Sequence, residues 1–209
     1  MNRVGPVIVV VMLAVLGGCT GFVTGSESLD VSAERAAVAP DAVNASGYEM
    51  TGSQTQSINQ SIEVGGQERQ VNARVHVVSY AKTPNLTDGS ATGNGTQALE
   101  GAGTLTVVSV PGVNVAGFSL NPLDILPESL LFELAGQQGT DLESTGTTNV
   151  SMLGQQVEGQ TYRASVDGTN LAVERASVSH EGDLVIAVAV RPEGGETPRE
   201  LIAAVEHPA

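Results

Sequence analysis

Few side chains in this sequence could carry out chemistry. The chain contains one cysteine, Cys19, and three histidines. A single thiol cannot form an internal disulfide, and one cysteine with scattered histidines cannot assemble a cysteine-rich zinc site. His76 lies on the polar face of a predicted strand, His180 in a predicted turn, and His207 after the last predicted helix. Because local spacing gives none of them a partner, we expect no catalytic, cofactor-binding or metal-binding residue.

Sequence motifs typical of enzymes are absent. The chain has no Gly-x-Ser-x-Gly elbow, no phosphate-binding glycine loop followed by Lys-Ser or Lys-Thr, and no pair of histidines at helical spacing. Acidic pairs such as Glu193 with Glu196 do not have the spacing of a calcium loop, and a solvated acidic face is the favoured interpretation. We therefore expect a protein that is not an enzyme. The least favoured alternative is a hydrolase that uses Ser or Asp with His76 or His180.

Cys19 has a chemical role that its position predicts. Arg3 is followed by the apolar run Val7 to Leu16, and two glycines precede Cys19. As a helix this run spans about 15 Å, half of the roughly 30 Å hydrocarbon core of a bilayer. The pattern indicates a lipoprotein signal peptide over residues 1–18, a lipid anchor on the Cys19 thiol and a flexible tether over residues 19–28. We therefore expect the remainder on the extracellular face of the cell membrane.

Five Asn-x-Ser/Thr triplets could accept N-linked sugar in that location. Their acceptor residues are Asn44, Asn59, Asn85, Asn94 and Asn149. Asn85 and Asn94 lie in the stretch 83–101, which is rich in Gly, Ser, Thr and Asn and has almost nothing to bury. We predict that this stretch is a mobile surface loop.

The charge balance excludes one large class of partner. The chain has 209 residues, a formal net charge of -14 and a pI near 4.4. Such a chain repels phosphate backbones, so we expect no nucleic acid partner. Lys82 is the only lysine, and aromatic residues make up 3%. An acidic, lysine-poor surface and small apolar residues are typical of proteins that work in high salt.

Strands account for most of the predicted elements. Residues 48–64 and 69–82 form a hairpin around Gly65 and Gly66, and alternation from Gln70 to Val77 gives the second strand one buried and one polar face. The run Leu184 to Val190 is continuously apolar, which indicates a central strand covered on both faces. Further strands are predicted at Leu29–Val31, Leu105–Val110, Asn149–Leu153, Tyr162–Val166 and Leu171–Val178.

Helix signals are fewer. Pro40 opens one turn that Gly47 ends, and Pro127 opens a mid-chain helix with a leucine stripe. Thr197 is predicted to cap a C-terminal helix whose Leu201, Ile202 and Val205 face the core. Residues 29–209 are therefore predicted to be a single α+β domain. Its mainly antiparallel β-sheet, built from hairpins, is packed by the mid-chain and C-terminal helices.

Three segments carry a resemblance to a known group. The start Leu16 to Phe22, the Gly47-Tyr48-Glu49 entry to a hairpin and the ending Ala204 to Pro208 resemble uncharacterised haloarchaeal lipoproteins. The resemblance covers nearly the whole chain and implies a cell-surface location without naming an activity. The order of hairpins and helices is similar to the PsbP and Mog1-like α/β/α sandwich, which also occurs in mycobacterial lipoproteins.

The favoured function is a non-enzymatic protein-interaction or accessory module of the cell envelope. Anchoring through Cys19 would raise the effective concentration of such a module near membrane partners. The alternative is a small-ligand or metal-ion binding lipoprotein with its site between the sheet and the helices. This alternative ranks lower because the aromatic residues that usually line pockets are scarce.

Overall fold

The computed structural model describes residues 28–64, 67–82, 102–115, 118–120, 142–166 and 168–209. The predicted signal peptide, Cys19, the loop over 83–101 and the mid-chain helix that opens at Pro127 lie outside these residues. Strands account for 71% of the structure and helices for 9%. The helices are α1 (Pro40–Ser46) and α2 (Arg199–Ala203). The strands are β1 (Leu29–Ser32), β2 (Ala37–Val38), β3 (Glu49–Val64), β4 (Gln67–Lys82), β5 (Gly103–Pro111), β6 (Val113–Val115), β7 (Phe118–Leu120), β8 (Glu143–Met152), β9 (Gln155–Val166), β10 (Thr169–His180), β11 (Asp183–Pro192) and β12 (Val205–Glu206).

Eight strands form one large mixed sheet. Seven of them are antiparallel to their neighbours in the order β3-β4-β5-β11-β10-β9-β8. The eighth, β1, runs parallel to β4 and pairs with Val71 to Arg74, while β5 pairs with β4 from His76 to Lys82. One edge of β4 therefore holds β1 and β5 in succession, and the other edge holds β3. Two small sheets pair β12 with β2 and β6 with β7.

The strand predictions agree with the structure. The β3–β4 hairpin forms as expected, and Val71, Ala73, Val75 and Val77 are buried on one face of β4. After Val77 the second face of β4 is buried as well, because Val38 lies over it and its amide donates a hydrogen bond to the Tyr80 hydroxyl at 2.8 Å.

Strand β11 is the centre of the sheet. It lies between β5 and β10, and every residue from Leu184 to Val190 is buried, as the continuous apolar run predicted. Val185, Ala187 and Ala189 contribute to a hydrophobic cluster on one face. Leu184, Ile186, Val188 and Val190 contribute to a second cluster on the other face. Burial of apolar side chains on both faces of β11 supplies much of the hydrophobic stabilisation of the sheet.

The predicted α+β class, with helices packing the sheet, is wrong. The structure is mostly β, with a large mixed sheet and only two short helices among the described residues. The helix starting at Pro40 ends at Gly47, whose φ of 73° is left-handed. Helix α2 ends after Ala203 because Val205 enters β12 and pairs with Val38. Neither helix is long enough to form a layer, and within the described ranges no helix is long and apolar enough to cross a membrane.

The predicted cap of the C-terminal helix is also wrong. Leu201, Ile202 and Val205 are buried as expected, but no side chain caps α2. The Thr197 hydroxyl instead donates a hydrogen bond to Glu174 Oε2 at 2.8 Å and accepts one from Arg191 Nε at 2.9 Å. Glu174 is only 2% exposed, and a buried carboxylate needs donors more than a helix end at the surface does.

Candidate metal centre

The turn between β10 and β11 places two chemically active side chains at one end of the sheet. His180 is the last residue of β10 and pairs with Asp183, so the turn residues are Glu181 and Gly182. Both have positive φ, 50° and 95°, as a two-residue hairpin of type I′ requires. The Gly182 carbonyl accepts a hydrogen bond from the Gly112 amide at 2.9 Å, which holds the turn against the end of β5. The backbone that carries Glu181 is therefore fixed.

The C-terminal segment brings a second histidine to the same turn. After β12 the chain places His207 beside β10, with only 1% of its side chain exposed. The rings of His180 and His207 meet edge to face, with centroids 5.7 Å apart and planes at 83°. Tertiary structure thus joins two histidines that are distant in sequence, and the interpretation of His180 and His207 as scattered residues is wrong.

Asp183 fixes the orientation of the His207 ring. Its Oδ2 lies 3.1 Å from His207 Nε2 and also accepts a hydrogen bond from the Glu34 amide at 2.6 Å. Asp183 Oδ2 can accept a hydrogen bond from Nε2–H of His207, and in that tautomer Nδ1 carries the lone pair. Nδ1 is buried and has no hydrogen-bond partner among the described residues. A buried lone pair without a donor is costly, and a cation is one group that could satisfy it.

The surroundings of His207 supply two further donors. One ligand atom each from His180, Glu181 and His207 lie within 4.8 Å of one another. Donor atoms around a tetrahedral Zn²⁺ lie about 3.3 Å apart, as bond lengths of about 2.0 Å require. Glu181 is exposed and His180 is half-buried, so rotation of their side chains can close the difference. Asp183 would act as the carboxylate behind a metal-bound histidine, an arrangement common in metal sites.

A cleft lies at the opposite end of β10 and β11, about 30 Å away along strands of this length. Its volume is about 1020 Å³, and Tyr48, Lys82 and Thr197 are among the residues that line it. Lys82 Nζ lies 5.9 Å from the centre of the Tyr48 ring. Burial raises the pKa of Tyr48, although the positive charge of Arg191 acts in the opposite direction. The cleft mixes acidic and basic side chains and does not favour one class of ligand.

The remaining candidates from the sequence do not join the histidine cluster. His76 lies on the polar face of β4 as predicted, with Nδ1 3.0 Å from Thr55 Oγ1. Glu193 forms an ion pair with Arg163 at 2.9 Å. The described partner of its carboxylate is therefore a guanidinium group, and not a cation shared with Glu196. These residues therefore carry no argument for catalysis or calcium binding.

The expected modification sites are partly described. Asn44 in α1, Asn59 in β3 and Asn149 in β8 have exposed side chains. Cys19, Asn85 and Asn94 lie outside the described residues. Exposure makes the three described asparagines accessible to modification, and their glycosylation stays a prediction.

Sequence reasoning missed the cluster because its members come from a turn and from the chain end. The signal available was Glu181-Gly182, which is a turn signal between two β-strand patterns and places His180 beside a chain reversal. No local pattern indicates that His207 returns to this reversal. That contact depends on the pairing of β12 with β2.

Comparison with known proteins gives a family but no activity. No functionally curated protein matches the chain. Among solved structures, the mycobacterial protein LpqN, involved in cell envelope biogenesis of Mycobacterium tuberculosis, is 9% identical over 75% of this chain and 86% of its own, with a TM-score of 0.30. A protein of unknown function from Pseudomonas aeruginosa, PA94, is 8% identical over 68% of this chain and 72% of its own, with a TM-score of 0.25. Likeness of this degree carries no argument about activity.

A family match covers most of the chain. It spans residues 35–206, which include His180, Glu181 and Asp183 and end one residue before His207. The chain therefore belongs to the family described as a domain of unknown function, DUF6517.

Proposed function

We propose that this chain is a lipid-anchored, extracytoplasmic protein that binds a transition-metal ion through His180, Glu181 and His207. The proposal rests on the buried Nδ1 of His207, which lacks a hydrogen-bond partner among the described residues, together with the cluster of ligand atoms that His180, Glu181 and His207 form. We therefore rank metal-ion binding above the protein-interaction role that the sequence alone favours. The role is binding, and no reaction is assigned to the site.

The donor set favours zinc over calcium or magnesium. Two imidazole nitrogens and one carboxylate suit Zn²⁺ and neighbouring transition metals, whereas Ca²⁺ and Mg²⁺ prefer sites made only of oxygen. Three protein ligands would leave the fourth position of a tetrahedral ion to water or to a group from another molecule. The site therefore suits an ion that is held and presented, with one position open.

Calorimetric titration of the chelator-treated full chain with ZnCl₂ tests this proposal. We expect one equivalent of Zn²⁺ to bind, with affinity at least about tenfold weaker in both His180→Ala and Glu181→Gln. Both side chains lie outside the core, so the variants should fold. His76→Ala is the matched control, because His76 is half-buried on another strand, and it should bind as the unmodified chain does. Equal affinity in all four proteins would refute the assignment.

Location forms the second part of the proposal. The signal-peptide pattern and the small residues before Cys19 support export and anchoring to membrane lipid. An extracellular face would also expose Asn44, Asn59 and Asn149 to glycosylation.

A protein-interaction or accessory role in the cell envelope is the second candidate function. The observation that favours it is the exposed outer edge of β3, which takes no strand partner within the described part of the chain. Such an edge presents main-chain donors and acceptors to an extended segment of another protein.

A further inference from the structure

The outer edge of β3 is long and regular. β3 pairs with β4 alone among the described strands. The register shifts once between Met50 and Gly52 and is then regular from Gly52 to Val64. At about 3.4 Å per residue, this regular part is on the order of 40 Å long. The peptide groups that face away from β4 along this length have no strand to pair with among the described residues.

β3 lacks most features that protect strand edges from pairing. Natural edge strands carry lysine, proline, inward-pointing charges or bulges. From Thr51 to Ile62 the strand has no proline and no charged residue. Its charges are Glu49 and Glu63, near its two ends, and its single irregularity lies before Gly52.

The strand at the opposite edge of the sheet, β8, is shorter than β3 and packs against a helix on one face. β8 also has one bulge, between Ser144 and Gly146. Helix α2 packs against it, and Arg199 Nη2 donates a hydrogen bond to Thr148 Oγ1 at 3.0 Å. Val150 and Met152 of β8 are buried in the cluster that includes Leu201 and Ile202 of α2. Among the described residues, β3 is therefore the longer of these two edge strands, with 16 residues against 10 in β8.

The side chains of β3 leave its main chain accessible. On one face they are short and polar, and several bond back toward β4: Gln70 Nε2 donates to Ser61 Oγ at 2.6 Å, and Thr55 Oγ1 lies 3.0 Å from His76 Nδ1. On the other face Gln56, Ile58 and Gln60 are half-buried. From Gly52 to Ile62 the strand carries no aromatic residue, and its largest side chains are those of glutamine and isoleucine.

We infer that the β3 edge binds an extended segment of another envelope protein as an added antiparallel strand. This inference rests on the second proposed function and is independent of the metal site. The carboxylates of Glu49 and Glu63 favour a segment with Lys or Arg near both ends, and the uncharged stretch between them favours uncharged side chains in its middle.

A second copy of this chain fits the edge poorly. A two-fold pairing of β3 with itself centred on Gln56 would place Glu49 of each copy opposite Glu63 of the other. Like charges directly opposite each other are destabilising, and here they would occur at both ends. Each copy also carries a net charge of -14, which adds long-range repulsion.

Photocross-linking in intact cells followed by amide exchange tests the inference. A benzophenone side chain is placed at Ser57 of the full chain and, as a control on the opposite edge strand β8, at Thr147; both positions are exposed. The segment cross-linked to position 57 is then synthesised as a peptide. We expect it to slow exchange of alternate amides of β3, those that do not bond to β4, by about tenfold or more. Ser57→Lys should abolish this protection, and Thr147→Lys should leave it unchanged.

The other outcomes overturn the inference in distinguishable ways. A cross-link from position 57 to a second copy would replace the partner with self-association. Cross-links from Thr147 but not from Ser57 would support a protein-interaction role but show that the β3 edge is not the binding site. Absence of any cross-link from either position, or a peptide that protects no alternate amides of β3, would contradict the proposed docking.

Discussion

One oxygen atom of Asp183 connects three parts of the chain. Oδ2 receives the amide of Glu34 from the segment before β2 and lies within hydrogen-bond distance of His207 from the segment after β12. Asp183 itself begins β11, and its residue exposure is 9%. Because the carboxylate lies within hydrogen-bond distance of Nε2 and so orients the His207 ring, Asp183 would be a positioning residue for the proposed metal centre.

The variant Asp183→Asn tests this role. An amide keeps one acceptor but loses the charge, so we expect the free energy of unfolding to fall by about 2 kcal/mol. We also expect Zn²⁺ affinity to fall by about 10-fold to 100-fold, as for other groups behind a metal ligand. Denaturant unfolding of the metal-free chain and calorimetric titration measure the two effects separately.

Asp30→Asn is the control, since Asp30 accepts a hydrogen bond from Asn72 Nδ2 at 2.9 Å on an exposed strand. This variant should change neither the free energy of unfolding nor the Zn²⁺ affinity by much. If Asp183→Asn lowered stability but left Zn²⁺ affinity unchanged, Asp183 would be structural only.

Hairpin β10–β11 depends on a close approach of two glycines. A Cβ on Gly112 would collide with the Gly182 carbonyl, the same oxygen that accepts the Gly112 amide. The turn that carries Glu181 therefore needs glycine at position 112 as well as within the turn. Both the β10–β11 hairpin and the candidate metal site therefore require glycine at position 112.

Gly112→Ala should lower the free energy of unfolding by about 1–3 kcal/mol, because the hairpin end must move away from β5. Thermal and denaturant unfolding measure the loss. Gly52→Ala is the matched change, because nothing lies within 4 Å of a Cβ there and its φ is not positive. Equal stability of the two variants would show that the Gly112–Gly182 contact is relaxed at little cost.

The strands could be predicted from the sequence, but the order in which they pair in the sheet could not. The alternation of apolar and polar residues predicts β4, and the continuous apolar run predicts β11. Each pattern depends only on which faces of that one strand are buried. The parallel pairing of β1 with β4 involves residues far apart in sequence and leaves no local signal. Thr197 failed as a cap because tertiary contact with Glu174 outweighed the local preference.

The candidate site was missed for the same physical reason. The sequence places His180 at a chain reversal, but its second histidine arrives only through β12 and the contact with Asp183. Local spacing therefore predicted three unrelated histidines, whereas the fold pairs two of them. The apolar stripe at Leu201 predicts a helix that packs the sheet, but α2 has only five residues and gives only local cover.

At the scale of the whole molecule, the proposed lipid anchor would determine where the domain works. Cys19→Ser removes the thiol that would carry lipid while leaving the signal pattern nearly intact. We expect the variant to move from the membrane fraction to the medium, which fractionation followed by immunoblotting measures. Ser28→Ala, on the domain side of the tether, should stay with the membrane. Retention of Cys19→Ser in the membrane would argue for a signal anchor that is not cleaved.

β1 also sets how the molecule responds to mechanical load. It is the first described strand, after the predicted tether, and four residues pair it with β4, whereas ten pair β10 with β11. Traction on the amino terminus acts first on these four pairs, so β1 detaches while the seven antiparallel strands stay assembled. Its release lengthens the connection to the membrane by about 13 Å, at roughly 3.3 Å per residue. If the proposed anchor holds the domain at a membrane, the short parallel strand would be the first element of the sheet to yield under load.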